Sequence, residues 1–165
     1  MATPTNLPAS FTTGAVLTAA QMNDLRGAFR ILQVVQASTN TETTSSTNTF
    51  VTTGLTATIT PQSSSSKILV LATVAGCGKD SGDTRLGLRL MRASTEICYF
   101  ESVGGFTNTA TTNFFGSCST YVLDSPATTS ATTYTVQFRS ELNIARVLTQ
   151  IGSARSTIVL LEVSA

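Results

Sequence analysis

The chain has 165 residues, which suits one domain with a short appended segment, and it carries 10 Lys and Arg against 9 Asp and Glu. A formal net charge of +1 leaves no basic surplus for neutralising phosphates, so we expect no nucleic-acid partner. The 41% hydrophobic content argues against disorder, yet no apolar run reaches the length of a membrane span, about 18 residues. Histidine is absent, which removes the commonest general base and a common metal ligand; we expect a protein that is not an enzyme and holds no metal or cofactor.

The first 32 residues are predicted to form an extended arm (residues 1–17) followed by one short α-helix (residues 18–32). Thr18 is a favourable N-cap residue, and Gln21 three positions later completes a capping box. Leu17, just before the cap, forms a hydrophobic-staple pair with Met22 at the fourth helical position. A single apolar stripe follows at helical spacing: Met22, Leu25, Phe29 and Leu32. Because so short a helix is marginal alone in water, it must pack on its own domain, on sister helices or on a partner.

From residue 33 to residue 165 the sequence predicts an all-β domain, a β-sandwich or jelly roll of eight or nine short strands. Strands are predicted near residues 33–38, 48–59, 67–75, 84–92, 95–102, 112–123, 131–140, 143–150 and 156–163. Two runs, residues 68–71 and 158–161, are apolar at every position and therefore predict strands that are covered on both faces. The outer face of a sandwich normally contacts water. We therefore expect the outer face of these two strands to be covered by the helix or by an oligomer interface.

Two groups of side chains are predicted to form a receptor-binding or intersubunit surface. The first is a basic strip made by Arg85, Arg89 and Arg92 together with Arg139. Its alternating placement fits the solvent face of a strand, an intersubunit ion-pair site or a surface for an anionic glycan. The second group is aromatic and follows the turn at residues 104–105: Phe106, Phe114, Phe115 and Tyr121. Aromatic rings suit sugar stacking or interface packing, and the dominance of Phe over Tyr and Trp favours packing.

Several further patterns have weaker chemical interpretations. Residues 75–82 superficially match a phosphate-binding loop, but Thr73 and Asp80 stand where that motif needs Gly and Ser or Thr. Residues 64–67 match Ser-x-x-Lys in a polar loop, whereas acyl-transfer chemistry needs that motif on a helical turn. Asp80 and Asp83 offer oxygen ligands to a cation, although a solvated loop is favoured. The cysteines are expected to be reduced thiols: Cys77, Cys98 and Cys118.

Residues 11–23 read F-x-x-G-x-x-L-T-A-A-x-x-N. This stretch resembles an N-terminal segment of tailed-bacteriophage virion proteins, especially tail-fibre proteins. Residues 31–36, 54–61 and 64–70 look like the start of their common β-domain. The apolar run of residues 156–163, with its acidic residue, is similar to their last strand. The resemblance covers about the first 75 residues and the last ten.

This resemblance implies a tumour-necrosis-factor-like jelly-roll head that forms a homotrimer, with residues 1–32 attaching it to other tail or capsid proteins. The implied anchor and trimer seam comprises Phe11, Leu17, Met22, Leu25, Phe29 and Leu32. We therefore expect a virion protein made in the host cytoplasm, a short tail fibre or tail-tip component that binds a glycan or protein of the host surface.

Two other functions compete with this expectation. A capsid decoration protein would belong to the same virion but would not need a host receptor. A free carbohydrate-binding module or depolymerase would be unrelated to assembly, and the enzyme would need two carboxylates in one cleft. The sequence offers these candidates for such a pair: Asp80, Asp83, Glu96, Glu101, Asp124 and Glu141.

Overall fold

The computed structural model describes residues 31–164, together with residues 13, 14, 16, 18 and 19. This described part folds into strands and one short 3-10 helix, Ile151–Ser153. In chain order the strands are β1 (Ile31–Thr39), β2 (Thr43–Ser45), β3 (Val51–Ile59), β4 (Lys67–Lys79), β5 (Leu86–Arg92), β6 (Thr95–Gly104), β7 (Asn113–Asp124), β8 (Thr132–Ser140), β9 (Val147–Thr149) and β10 (Ser156–Val163). Within these residues, no helix is long and apolar enough to cross a membrane.

The strands pair antiparallel into two sheets, which confirms the predicted all-β fold class. In the first sheet, β7 lies along one edge of β4, while β10 and β9 share the other edge. Strands β1 and β2 lie beyond β10 and β9, respectively. The second sheet has the order β3-β8-β5-β6. Each of the nine predicted strands has a counterpart, and the three-residue strand β2 is an addition.

The hydrophobic core lies between the two sheets and takes alternate side chains from the long strands. The first sheet contributes chiefly Ile68, Val70, Val74, Ile158 and Leu160. The second sheet contributes chiefly Leu55, Leu88, Leu90, Val136 and Phe138. Each of these side chains is fully buried, so the two-residue period of the sequence sets which face of each strand points inward.

The predicted helix at residues 18–32 extends too far along the chain. Ile31 and Leu32 belong to β1, where the pairing with β10 begins at Val163. Leu32 fits a helical stripe and an apolar strand equally well, so the pattern could not locate the boundary. The other predicted anchor residues lie outside the described residues: Phe11, Leu17, Met22, Leu25 and Phe29.

The register of the first sheet gives the domain two distinct poles. At the N-terminal pole, Ile31 at the start of β1 pairs with Val163 at the end of β10, which pairs with Lys67 at the start of β4. At the opposite end, which we call the loop pole, the connections of residues 80–85, 105–112 and 141–146 meet. Backbone and side-chain hydrogen bonds join these three connections, so they form one structured surface.

Candidate functional site

The outer face of the first sheet carries a continuous apolar surface. Because Ile68 and Val70 point into the core, the intervening Leu69 and the following Leu71 point outward. The same alternation applies to β10, β1 and β7. We call the outward-facing set the apolar face: Ile31, Val34, Leu69, Leu71, Tyr121, Leu123, Val159, Leu161 and Val163.

Strand register aligns the apolar face in rows across the sheet. One row crosses β1, β10, β4 and β7 and consists of Val34, Leu161, Leu69 and Leu123. The next row contains Val159, Leu71 and Tyr121. Neighbouring strands lie about 4.8 Å apart, so the four-strand row spans roughly 14 Å. Tyr121 is 71% exposed, Val34 58% and Leu123 55%, and a contiguous exposed apolar surface of this kind is unusual on a monomer.

The apolar face occupies only the half of the sheet near the N-terminal pole. Further along the strands, the outward row becomes hydroxylic: Ser38, Thr157, Thr73 and Ser119. The hydroxyls of Thr73 and Ser119 lie 2.9 Å apart and hydrogen-bond to each other. The apolar face therefore ends at a polar boundary and lies close to the point where residues 1–30 join the domain.

The predicted basic strip is largely neutralised by carboxylates within the domain. Arg89 lies 3.0 Å from Glu96, and Arg139 lies 2.6 Å from Glu141. A third pair, Arg92 and Asp124, is separated by 2.6 Å and lies apart from the others, near the N-terminal pole. Three of the four predicted arginines thus have an intramolecular partner, which reduces the positive charge available to an anionic ligand.

The outer face of the second sheet contains a compact site that the sequence analysis did not assemble. We call it the Phe50–arginine pocket, a cavity of about 260 Å³ lined by Phe50, Arg89, Glu96, Tyr99 and Arg139. The guanidinium carbons of Arg89 and Arg139 lie 3.8 and 4.4 Å from the centre of the Phe50 ring. Tyr99 meets the same ring edge-on at 5.9 Å. These distances are those of favourable cation–π and aromatic contacts.

Polar neighbours hold the two arginines of the pocket in place. Gln137 accepts hydrogen bonds from two nitrogens of Arg89, at 2.9 and 2.7 Å. Glu141 accepts from Arg139 and from the hydroxyl of Tyr99. Gly87 leaves the space for this contact, because a Cβ there would collide with the Glu141 carboxylate and the Tyr99 hydroxyl. The pocket is therefore pre-organised.

The ionisation of the pocket follows from these contacts. Burial raises the pKa of Tyr99 to about 12, with a further contribution from its hydrogen bond to Glu141. Burial also acts to raise the pKa of Glu141, but hydrogen bonds from Arg139 and Tyr99 outweigh it and hold that pKa below its ordinary value. At neutral pH the site thus contains a neutral phenol that donates to an ionised carboxylate.

The sequence contained a partial signal for this pocket. Arg89 and Tyr99 lie on the predicted strands 84–92 and 95–102, and the short hairpin between them places the two residues opposite each other. Phe50 directly follows an entirely polar stretch, residues 38–49, and so stands out as an isolated aromatic residue. Its position over the arginines depends on the long-range pairing of β3 with β8, which no local pattern specifies.

The four predicted aromatic residues do not form one surface. Phe106 and Phe114 are exposed near the loop pole. Phe115 packs partly against the core, with its ring beside Gly104 and Gly105. Tyr121 belongs to the apolar face instead.

At the loop pole, one of the two carboxylates that the sequence suggested for a cation already has a partner. Asp80 forms an ion pair with Arg146, which holds the pKa of Asp80 below its ordinary value. Thr112 donates a 2.7 Å hydrogen bond to the Asp80 carbonyl, and Lys79 donates to the carbonyls of Gly82 and Thr109. Among the described residues, no three His, Cys, Asp or Glu side chains group closely enough to hold a metal ion.

The cysteines are free thiols. A hydrogen bond with Cys118 and burial both raise the pKa of Cys77, which keeps it protonated. A buried protonated thiol is a poor nucleophile.

No protein-family model matches the chain, and no curated protein matches it at a significant level.

Proposed function

We propose that this chain is a structural subunit of a tailed-bacteriophage virion, a homotrimeric short tail fibre or tail-tip component that attaches the particle to its host. The apolar face is the observation that carries this proposal. It places large apolar side chains in register across four strands, on a surface that a further copy of the chain would cover. The virion assignment and the anchoring role of residues 1–32 come from the sequence resemblance.

The strand order supports a jelly-roll head. In the first sheet, the last strand β10 lies between β1 and β4, and β7 lies beyond β4. In the second sheet, β8 lies between β3 and β5, and β6 lies beyond β5. Apart from the three-residue strands β2 and β9, which extend the first sheet, the chain therefore crosses repeatedly between two sets of four strands, as eight-stranded jelly rolls do.

The two poles support an anchored, outward-facing arrangement. Residues 1–30 join the domain at the N-terminal pole, beside the apolar face. The loop pole lies at the other end of the sandwich and consists of three connections joined by hydrogen bonds. A subunit that is held by its N-terminal segment would then present these connections away from the particle.

The charge pairing argues against the competing depolymerase function. Four of its six candidate carboxylates are already paired with arginines: Asp80, Glu96, Asp124 and Glu141. A general acid needs a raised pKa, whereas the pKa values of Asp80 and Glu141 are lowered. This arrangement suits a rigid binding surface better than acid–base catalysis.

Light scattering after size exclusion tests the homotrimer. Three chains of 17.3 kDa give 3 × 17.3 = 51.9 kDa, and we expect a mass near this value. Leu123→Glu, which places a charge in the apolar face, should shift the protein to the monomer mass. Ile144→Glu is the control, since Ile144 is similarly exposed (62%) but lies near the loop pole. A monomeric wild type, or an unchanged Leu123→Glu trimer, contradicts the proposal.

Particle composition separates tail from capsid. Quantitative mass spectrometry of purified particles should find a low copy number for a tail component, whereas a decoration protein would be present in hundreds of copies. A chain without residues 1–30 retains every described strand, and we expect it to trimerise without joining particles. Normal incorporation of this shortened chain would contradict the anchoring role.

A further inference from the structure

We propose that the Phe50–arginine pocket binds a neutral, hydroxylated sugar ring of a host-surface glycan. This inference rests on the proposed attachment function and names the chemical class of its receptor.

Residues that line the cavity have unused hydrogen-bonding groups. An arginine has five N–H donors, and Arg89 uses three of them on Gln137 and Glu96. Arg139 likewise uses three, on Glu141 and the carbonyl of Asn48, the last at a long 3.5 Å, and it also interacts with the hydroxyl of Tyr99. Within the described structure, Arg89 therefore retains two donors and Arg139 retains one. Glu96 is bonded through one carboxylate oxygen, which leaves the other oxygen to accept.

The balance of charge favours a neutral ligand. The positive charges of Arg89 and Arg139 are matched by the negative charges of Glu96 and Glu141. A carboxylated sugar would use the spare donors but would face the free oxygen of Glu96, whose side chain is 45% exposed. A hydroxyl group both donates and accepts, so neighbouring sugar hydroxyls can satisfy the arginine donors and the Glu96 oxygen together.

The size and rigidity of the cavity suit one ring. Its volume of about 260 Å³ falls just below the roughly 300–1,000 Å³ of pockets for drug-sized ligands. The aromatic rings of Phe50 and Tyr99 supply apolar surface beside the polar groups. The guanidinium groups are fixed before a ligand arrives, which lowers the entropic cost of binding.

The pocket also remains open when the apolar face is covered. It lies on the outer face of the second sheet, whereas the apolar face belongs to the first sheet, across the core. Oligomerisation through the apolar face would therefore leave the pocket exposed to solvent and available to a surface glycan.

Saturation-transfer NMR and titration calorimetry on the full chain test the proposal. The probes are the methyl glycosides of glucose, galactose, mannose, rhamnose and N-acetylglucosamine, with glucuronic acid as the anionic arm. We expect at least one neutral glycoside to bind with a Kd of about 1 mM or lower. Glu96→Gln should raise that Kd about tenfold, because a carboxylate acceptor is replaced by a weaker one. Glu42→Gln is the matched control, because Glu42 is an exposed carboxylate in the connection between β1 and β2, which are strands of the first sheet.

Each outcome bears on the proposal. Absence of binding by every neutral glycoside at about 10 mM overturns it, as does an unchanged Kd in Glu96→Gln. If glucuronic acid binds more tightly to Glu96→Gln than to the wild type, the ligand is an anionic sugar and the proposed neutral class is overturned. The result is separable from assembly: a trimer that binds no glycoside refutes the pocket alone, whereas a monomer that binds one refutes the trimer alone.

Discussion

Gly76 shows how closely one residue can be constrained in this fold. It lies at the irregularity of β4 between Val74 and Cys77, with a φ of +60°. A Cβ at this position would lie 2.5 Å from the backbone nitrogen of Ile151. A backbone atom, unlike the end of a side chain, cannot rotate away from this contact. Glycine is thus needed here both for its conformation and for the close approach of the 3-10 helix.

We expect Gly76→Ala to reduce the free energy of unfolding by about 3 kcal/mol or to prevent folding. The control is Gly152→Ala, which has a similar φ of +64° but no atom within 4 Å of the added carbon. It should lose only the conformational term, about 1 kcal/mol. Urea unfolding followed by circular dichroism measures both losses. Equal losses in the two variants would show that the contact with Ile151 is unimportant.

Glu162 is a fully buried carboxylate with direct hydrogen-bond donors. The side chain of Gln33 donates to it at 2.6 Å, and the backbone N–H of Gln62 donates at 2.7 Å. Burial acts to raise the pKa of Glu162, but these hydrogen bonds outweigh burial, so the pKa lies below its ordinary value of 4.5. The ionised carboxylate therefore stabilises the junction of β1, β10 and the β3–β4 connection.

This lowered pKa sets the direction of a pH effect. A group whose pKa is lower in the folded state stabilises the fold above its unfolded pKa and loses that contribution as the pH falls toward the folded value. We expect the free energy of unfolding to decrease below about pH 4.5, and to decrease less steeply in Glu162→Gln. Denaturant titrations at several pH values measure the slopes. Glu42→Gln should retain the wild-type slope, and an unchanged slope in Glu162→Gln would contradict the assignment.

Between elements, one ion pair links the two sheets. Arg92 ends β5 in the second sheet, and its partner Asp124 ends β7 in the first sheet. Tyr134 of β8 donates a 2.7 Å hydrogen bond to the same carboxylate. Burial, followed by the contact with Asp124, raises the pKa of Tyr134, so the phenol remains a donor at neutral pH. The cluster ties three strands together near the N-terminal pole.

Removal of the Arg92 guanidinium from this cluster should lower the free energy of unfolding. Arg92→Met leaves Asp124, whose side chain is only 10% exposed, with an uncompensated charge, and we expect a loss of about 2 kcal/mol. Arg146→Met removes the exposed partner of Asp80 and should cost clearly less. Thermal and urea unfolding of the two variants compare these losses. A loss in Arg146→Met as large as that in Arg92→Met would contradict the structural role of the cluster.

The elements themselves were largely predictable, because most of the long strands carry either a local period of two or an unbroken apolar run. The apolar runs at residues 68–71 and 158–161 predicted strands with a second apolar face, and their outward residues lie next to each other in register. The start of β1 was harder to predict from the sequence, because a stripe of spaced apolar residues also suits a helix. β2 has only three residues, too few for any period to be recognised.

For the whole molecule, the outer faces of the two sheets differ in chemistry. The first sheet presents the apolar face. The second sheet presents the Phe50–arginine pocket and threonine pairs such as Thr58 and Thr133, whose hydroxyls lie 2.8 Å apart. This asymmetry predicts that one face is covered by association while the other remains in water.

Association of this kind makes thermal stability depend on protein concentration. We expect the Tm of the wild type to rise between micromolar and hundred-micromolar chain, and the Tm of Tyr121→Glu to stay constant over that range. Differential scanning calorimetry at several concentrations makes the comparison, with Ile144→Glu expected to behave as the wild type. A concentration-independent wild-type Tm would count against the oligomer.

Taken alone, the sequence determined the all-β class, the position of the long strands and the existence of an apolar surplus, because these depend on the alternation of neighbouring residues. Only the tertiary structure decided which distant residues meet. The register of four strands gathers the surplus into one apolar face, and the pairing of β3, β8, β5 and β6 places Phe50 over Arg89 and Arg139. The fold also brings carboxylates to the predicted basic strip: Glu96 of the neighbouring strand pairs with Arg89, and Asp124 of the other sheet pairs with Arg92. Such contacts depend on strand order and register, which are properties of the whole sheet and are not encoded in any local pattern.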